Sequence, residues 1–222
     1  MADSQRGEQS WYTHAMTLRI VGRSSSHFTR IARMFAHELG VTYEFSPLYD
    51  LLSHNSKDYA ENPALKVPIL ETEDGVWFGS SNICRELARR APEPARVIWP
   101  EDLSQRTAAN AQELVLSGMN AEVSLVMSAL ASANPADAYQ VKLREGLAHS
   151  LAWLEQHAPS VIVALPADRR VSFFEISLFC FVTHLQFRKL TDTSPHSSLS
   201  AFAELFALRP SAQSTPYAFD KP

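Results

Sequence analysis

The sequence predicts a small α/β domain followed by an all-helical domain. Short β-rich segments and segments of helical periodicity alternate up to about residue 90, and the order begins strand, helix, strand. A proline-rich stretch at 92–102 ends this pattern, and beyond it the periodicity is helical throughout. We therefore expect a polar, mobile tail at 1–16, an α/β domain at 17–91, a linker at 92–102 and an all-α domain at 103–222.

The α/β domain begins with two strands that are joined through a helix, so these strands are expected to be parallel neighbours. Asp74-Gly75 predicts a hairpin turn between two later strands. The predicted elements are, in order, strand 17–21, helix 27–39, strand 41–48, strand 66–70, strand 76–78 and helix 81–90.

The second domain is predicted from stripes of apolar residues at three- and four-residue spacings. Its first helix is either continuous or bent at Gly118, and the stretch 161–170 is expected to be a loop. The predicted helices are 103–133, 136–157, a helix that begins at 172, and 198–208.

The segment 62–70 organises the first domain, because it is a short apolar strand that is entered through Pro63 and carries Pro68 at its start. Pro68 has no N–H to donate to a central ladder, so it places Val67 at a sheet edge or in a turn. The N–H and C=O groups of Val67 are then available to another partner. The Val67–Pro68 bond is also a candidate for a cis peptide.

Composition excludes several classes of function. The formal net charge is −4 and there is no long Lys/Arg run, which argues against a nucleic-acid partner. Cys84 and Cys180 lie far apart without metal-binding spacing, so we expect reduced thiols in a cytoplasmic protein and no metal site. The most apolar run, 173–182, is too short to span a bilayer, and no membrane partner is expected.

Residues 171–176 predict the start of a helix. Ser172 is placed to accept a hydrogen bond from the Glu175 N–H, while the Glu175 side chain reaches back to the Ser172 N–H, as in a capping box. Val171 and Ile176 are placed as a hydrophobic staple. This motif is structural rather than catalytic.

These motifs together resemble the soluble glutathione transferase superfamily, in a serine-type, bacterial-like form. The resemblance rests on Asn-Pro-x-x-Lys-Val-Pro-x-Leu at 62–70, the Ser-x-x-Ile-x-x-x-Leu helix start at Ser80, the capping box, and Arg-Pro-Ser at 209–211. It implies a thioredoxin-like domain with a helical bundle, glutathione as co-substrate, a small-molecule electrophile, and a cytoplasmic homodimer with a role in detoxification.

The resemblance also implies residue roles. Ser26 falls where serine-type transferases stabilise the glutathione thiolate. The Val67 backbone, before Pro68, would pair with the cysteinyl part of glutathione. The γ-glutamyl carboxylate would be held at the start of the second helix, at Ser80 and Ser81. The glycyl carboxylate would lie near Lys66, with His54 and Lys57 as further candidates.

Several alternatives remain open at this stage. Ser26 could be a plain helix N-cap, for which serine is well suited. Ser24 and Ser25 are rivals for the thiol-facing hydroxyl. Arg23 and His27 could contact carboxylates, although a solvated surface position is the simpler interpretation of each.

One position departs from the family pattern. Before the matching serine the family usually has an acidic residue, which meets the α-ammonium of glutathione, and here that position is Gly79. A non-catalytic interaction or stress-response protein of the same fold is therefore the alternative to a transferase. A thiol–disulfide oxidoreductase is a third hypothesis, and it requires a reactive Cys84.

Overall fold

The fold was analysed in a computed structural model that describes residues 17–222. The predicted tail at 1–16 lies outside the described residues. In chain order the helices and strands are β1 Arg19–Gly22, α1 His27–Glu38, β2 Glu44–Pro47, β3 Ile69–Thr72, β4 Gly75–Phe78, α2 Ser80–Arg89, β5 Val97–Ile98, α3 Arg106–Leu130, α4 Ala138–Ala164, β6 Val171–Ser172, α5 Phe173–Arg188, α6 Ser197–Phe206 and α7 Pro210–Gln213. Short 3-10 turns occupy Ser56–Tyr59 and Pro100–Asp102.

The first part of the chain is a thioredoxin-like α/β domain. Its sheet has the order β2-β1-β3-β4, with β1 parallel to β2 and antiparallel to β3, and with β3 antiparallel to β4. α1 and α2 pack against each other and against the sheet, and they bury residues such as Ile20, Phe35 and Leu70. The predicted fold class and the parallel β1–β2 pairing are confirmed.

The strand after Pro68 is central rather than at an edge. β3 lies between β1 and β4, and it begins at Ile69, one residue after the proline. The strand predicted at 66–70 therefore begins later than expected, at Ile69. Because Val67 and Pro68 precede the ladder, they lie in the turn that leads into β3, and the bond between them is cis.

The helical region begins with α3, which runs without a break through Gly118. The alternative of a kinked pair was wrong. A Cβ atom at Gly118 would lie 2.5 Å from Cζ of Phe181, so the glycine allows α3 and α5 to approach closely.

Helix α4 is longer than predicted. It continues through Pro159 to Ala164, so residues 161–164 are helical rather than the start of a loop. Ala158 and Val161 are buried on either side of the proline. Their packing offsets the backbone hydrogen bond that proline cannot make.

The start of α5 forms one half of the predicted capping box. Ser172 Oγ accepts from the Glu175 N–H at 3.4 Å. The Glu175 carboxylate instead accepts hydrogen bonds from Nε and Nη2 of Arg169, at 2.7 Å each. The reciprocal bond to the Ser172 N–H is therefore not formed. Ser172 also belongs to β6, which pairs with β5.

The last helix is tied to the first domain. Arg209 donates two hydrogen bonds to the Glu38 carboxylate, at 2.8 and 2.7 Å, and Ser211 Oγ donates to the same group at 2.5 Å. These contacts join α7 to the end of α1. They lower the pKa of Glu38 although its burial acts in the opposite direction.

Helix α3 is the one helix in the described chain that is long and apolar enough to cross a bilayer by length and composition alone. It packs against α4 and α5, and it carries the fully buried carboxyl group of Glu122. Both features are typical of a core helix in a globular protein.

Candidate functional site

A cavity of about 260 Å³ lies between the α/β domain and helices α3 and α5. The first domain contributes the segment before α1, the start of α1 and the residues that precede β3. The helices contribute an apolar strip and three polar side chains. The lining residues are Arg23, Ser25, Ser26, His27, Phe28, Leu51, Tyr59, Ala64, Leu65, Lys66, Val67, Asn120, Val123, Val126, Met127, His184 and Arg188.

Ser26 lines this cavity as the N-cap of α1. Its Oγ accepts from the Thr29 N–H at 3.2 Å. A hydroxyl has one donor and two acceptor positions, so the O–H of Ser26 remains able to donate into the cavity. The first turn of α1 has no acidic residue, and the helix dipole there therefore favours a negative charge. The capping role and a thiolate-stabilising role are compatible in one side chain.

The two rival serines have different environments. Ser25 is 2% exposed and also lines the cavity. Its carbonyl oxygen accepts hydrogen bonds from His184 and Arg188 on α5. Ser24 is not a lining residue; its Oγ accepts from Arg33 and its N–H donates to Asp220 at 2.8 Å. Ser26 is consequently the serine whose hydroxyl combines a lining position with a helix N-terminus.

The cavity lining also includes Val67 and Lys66. Within residues 17–222, no hydrogen bond reaches the backbone N–H or C=O of Val67. Asn62 shapes this turn, because its Nδ2 donates to the Lys66 carbonyl and its Oδ1 accepts from the Ala64 N–H. Lys66 is exposed and lines the cavity rim.

The start of α2 lies next to this turn, since the Gly79 N–H donates to the Pro68 carbonyl at 3.3 Å. Ser80 is the first residue of α2 and is 8% exposed, whereas Ser81 is exposed. Neither serine lines the cavity. Gly79 has a φ of +80°, a conformation that disfavours side chains, so the backbone explains the glycine at this position.

The predicted site residue His54 lies outside the cavity. Both His54 and Lys57 are exposed, and neither contributes to the lining. They lie in the connection between β2 and β3, as the sequence indicated.

A buried polar chain supports the segment before α1. Glu122 on α3 is hydrogen-bonded to Nδ1 of His184 on α5, and Nε2 of His184 donates to the Ser25 carbonyl at 3.2 Å. Burial raises the pKa of Glu122 well above its ordinary value. Burial, together with the nearby Arg188, lowers the pKa of His184 to about 3. Both shifts favour a neutral pair in which the Glu122 carboxyl group donates its proton to His184.

His27 is not a solvated surface residue, as the sequence analysis supposed. It is 1% exposed, its ring packs 4.2 Å from that of His184, and its Nε2 donates to the Met119 carbonyl at 3.1 Å. Its side chain turns inward from α1 because α3 and α5 cover the helix start. Burial, followed by the effect of His184, lowers the pKa of His27 well below its ordinary value.

His27, Glu122 and His184 form a cluster of metal-ligand types, with their ligand atoms within 4.8 Å of one another. The sequence spacing gave no sign of it. In this structure the two imidazoles and the carboxyl group are engaged in the hydrogen bonds described above, and these fix the Ser25–Ser26 segment against α3 and α5.

The methionine and valine stripe of α3 divides between the cavity and the core. Val123, Val126 and Met127 line the cavity, whereas Met119 and Leu125 are buried in the protein core. The cavity therefore has an apolar strip that α3 contributes.

Both cysteines are inaccessible. Cys84 and Cys180 are fully buried and unpaired. Burial raises the pKa of the Cys84 thiol well above its usual value and that of Cys180 to about 12. Neither thiol is suited to nucleophilic chemistry.

Three supporting residues were missed by the sequence analysis: Glu122, Arg188 and Asp220. Arg188 Nη2 donates to the Ser25 carbonyl at 3.3 Å, and the Asp220 carboxylate accepts from the Ser24 N–H. The sequence did contain a signal for Glu122: it stands within the apolar stripe of α3. A charged side chain that is buried there needs a partner.

The fold and the cavity together define a two-domain protein with a thioredoxin-like domain, a helical domain and a site between them. Residues 25–90 match the family described as "Glutathione S-transferase, N-terminal domain". An uncharacterized GST-like protein of Escherichia coli K12, YibF, is 30% identical over 177 residues, which is 78% of this chain and 84% of the relative.

Solved structures of glutathione transferases share the fold. A family member from Pseudomonas fluorescens Pf-5 with bound glutathione is 24% identical, with a TM-score of 0.72, and the alignment covers 91% of this chain and 100% of that one. A glutathione S-transferase from Methylobacterium radiotolerans in complex with glutathione sulfonate is 20% identical, with a TM-score of 0.70 and coverages of 93% and 98%. The chain belongs to the glutathione S-transferase family.

Proposed function

We propose that this protein is a glutathione-dependent transferase. The observation that carries the proposal is a cavity lined both by Ser26, at the N-terminus of α1, and by Val67, whose backbone has no hydrogen-bond partner within residues 17–222. An extended peptide with a thiol could pair its cysteinyl backbone with Val67 and place its sulfur at Ser26. Relatives crystallised with glutathione or glutathione sulfonate support glutathione as the co-substrate.

In the proposed reaction, the O–H of Ser26 donates to the glutathione sulfur and the α1 dipole stabilises its negative charge. Lowering the pKa of a thiol from about 8.5 by about two units requires roughly 2.7 kcal/mol. One charge-assisted hydrogen bond and a helix N-terminus can supply this. The thiolate then attacks a small electrophile that lies against Val123, Val126 and Met127 of α3.

The remaining glutathione contacts are proposed from the family pattern. Ser80 and Ser81 at the start of α2 would hold the γ-glutamyl carboxylate, and Lys66 would lie near the glycyl carboxylate. His54 is the weakest of these candidates, because it is exposed and outside the cavity lining.

Calorimetric titration of glutathione tests the binding site. We expect the Ser80→Ala variant to bind at least several-fold more weakly than wild type, because it loses a hydrogen bond to a charged group. Ser160→Ala, an exposed serine on α4, serves as the matched control and should bind like wild type.

A non-catalytic interaction or stress-response protein of this fold is the second candidate. Gly79 supports it, since an acidic residue is the family's usual partner for the glutathione ammonium and the cavity lining contains no carboxylate. The absence of glutathione binding to wild type would favour this candidate over the transferase. Thiol–disulfide exchange is disfavoured by the burial of Cys84 and Cys180.

We also propose a cytoplasmic homodimer that acts in detoxification, as is common in the family. Light scattering should give twice the chain mass of 24.8 kDa; the mass of a single chain would contradict the dimer.

A further inference from the structure

The cavity wall is cationic without a matching acid. Arg23, Lys66 and Arg188 line it, and no Asp or Glu does. In the part of the chain that the structure describes, none of these three residues forms a salt bridge. Other partly buried arginines do pair, as Arg169 does with Glu175.

Arg188 is held in place but left unneutralised. Its Nη2 donates to the Ser25 carbonyl at 3.3 Å, and its guanidinium carbon lies 5.1 Å from the ring of Phe219 and 5.4 Å from that of Phe187. These contacts orient the side chain. None of them supplies a negative charge.

The two arginines also oppose each other. Burial and then the proximity of Arg23 lower the pKa of Arg188. Arg23 donates to the Tyr49 carbonyl through Nη1, while its buried Nε has no partner. Two acids lie near this pair of arginines: Glu122 is hydrogen-bonded to His184, and the Asp220 carboxylate accepts from the Ser24 N–H. An anion between the two guanidinium groups would relieve their repulsion and complete their hydrogen bonding.

We propose that the transferase site takes an electrophile with an apolar body and a carboxylate, and that Arg188 with Arg23 binds the carboxylate. This inference rests on the proposed function. The apolar strip of α3, Val123, Val126 and Met127, accommodates the body of the substrate. Arg188 belongs to α5, whereas Val67 and Lys66 belong to the turn before β3, so Arg188 comes from a different element from the one that holds the proposed path of the glutathione backbone.

A matched pair of electrophiles tests the inference: 4-chloro-3-nitrobenzoate and 4-chloro-3-nitrobenzamide. In both, the glutathione sulfur bonds to the ring carbon that bears chlorine, chloride leaves with the bonding electrons, and the thiol proton goes to solvent. The two probes differ in the charged group and are compared after correction for their uncatalysed rates.

We expect Arg188→Gln to lower kcat/KM for the benzoate about tenfold to a hundredfold more than for the benzamide, because the loss of its contact with Ser25 affects both probes alike. Lys189→Asn, which removes the same charge from the exposed neighbouring residue, should affect neither probe. Equal losses for both probes, or no loss for either, would overturn the inference.

Calorimetry separates this inference from the proposed function. The ligands are glutathione and the two S-aryl conjugates that the probes yield. The inference requires that Arg188→Gln weaken the acid conjugate alone. If it weakens glutathione equally, Arg188 serves the peptide and the inference fails while the proposed function stands. If wild type binds none of the three ligands, both fail.

Discussion

The buried Glu122–His184 pair gives a sharp prediction about stability and pH. The structure favours a protonated Glu122 that donates to Nδ1 of His184, with the pKa of Glu122 raised by burial. Glu122→Gln keeps the shape of the side chain, and its amide N–H can replace the donated proton. We expect the variant to fold and to retain the link to Ser25.

The sign of the effect follows from the number of bound protons. Above pH 4.5, the ordinary pKa of a glutamate, the unfolded chain has released the Glu122 proton while the folded chain keeps it. The contribution of Glu122 to the free energy of unfolding is therefore complete below pH 4.5. It is lost as the pH rises, until Glu122 ionises in the folded protein. The loss is on the order of 1 kcal/mol per pH unit for as long as the carboxyl group of the folded protein stays protonated.

Urea unfolding of wild type and Glu122→Gln at pH 5, 6 and 7 measures this difference. The variant should be close to wild type at pH 5 and progressively more stable than wild type at pH 6 and pH 7. Glu113→Gln, an exposed position on the same helix, is the control and should show a constant difference. A difference between wild type and Glu122→Gln that does not change with pH would refute the neutral-pair assignment.

Two further predictions concern packing and capping. Gly118→Ala should lower the free energy of unfolding by about 1–3 kcal/mol because its Cβ meets the Phe181 ring, whereas Gly146→Ala, where a Cβ meets nothing within 4 Å, should raise it by about 0.5–1 kcal/mol. Equal effects of the two alanines in thermal unfolding would contradict the close approach of α3 and α5. Ser172→Ala should cost about 0.5–2 kcal/mol, since it removes the acceptor for the Glu175 N–H, and an unchanged melting temperature would show that the cap contributes nothing.

Local patterns predicted most of the fold. The helix period and the stop at Gly40 predicted α1, which ends at Glu38, and the hairpin turn at Asp74-Gly75 joins β3 to β4. The errors lie where tertiary packing overrides a local signal. The helix predicted over 136–157 continues through Pro159 to Ala164, and Ala158 and Val161 are buried on either side of the proline.

The site was less accessible to sequence reasoning. Ser26 and Val67 could be singled out because a helix start and a proline turn are local features. The contact of Glu122 with His184 joins residues that are 62 positions apart, and that of Arg188 with Ser25 spans 163. Such pairs become visible only when the helices are packed, and so the polar support of the site and its cationic wall could not be foreseen.

The pKa of the bound glutathione thiol tests the central claim most directly. It is measured by the ultraviolet absorbance of the thiolate as a function of pH, with wild type, Ser26→Gly and Ser24→Ala. Glycine preserves most of the N-cap stability, so the Ser26 variant should remain folded. The account predicts a thiol pKa well below the free value of about 8.5 in wild type and Ser24→Ala, and a rise of about one unit or more in Ser26→Gly. Bound glutathione with the same thiol pKa in all three proteins would contradict the assignment of Ser26.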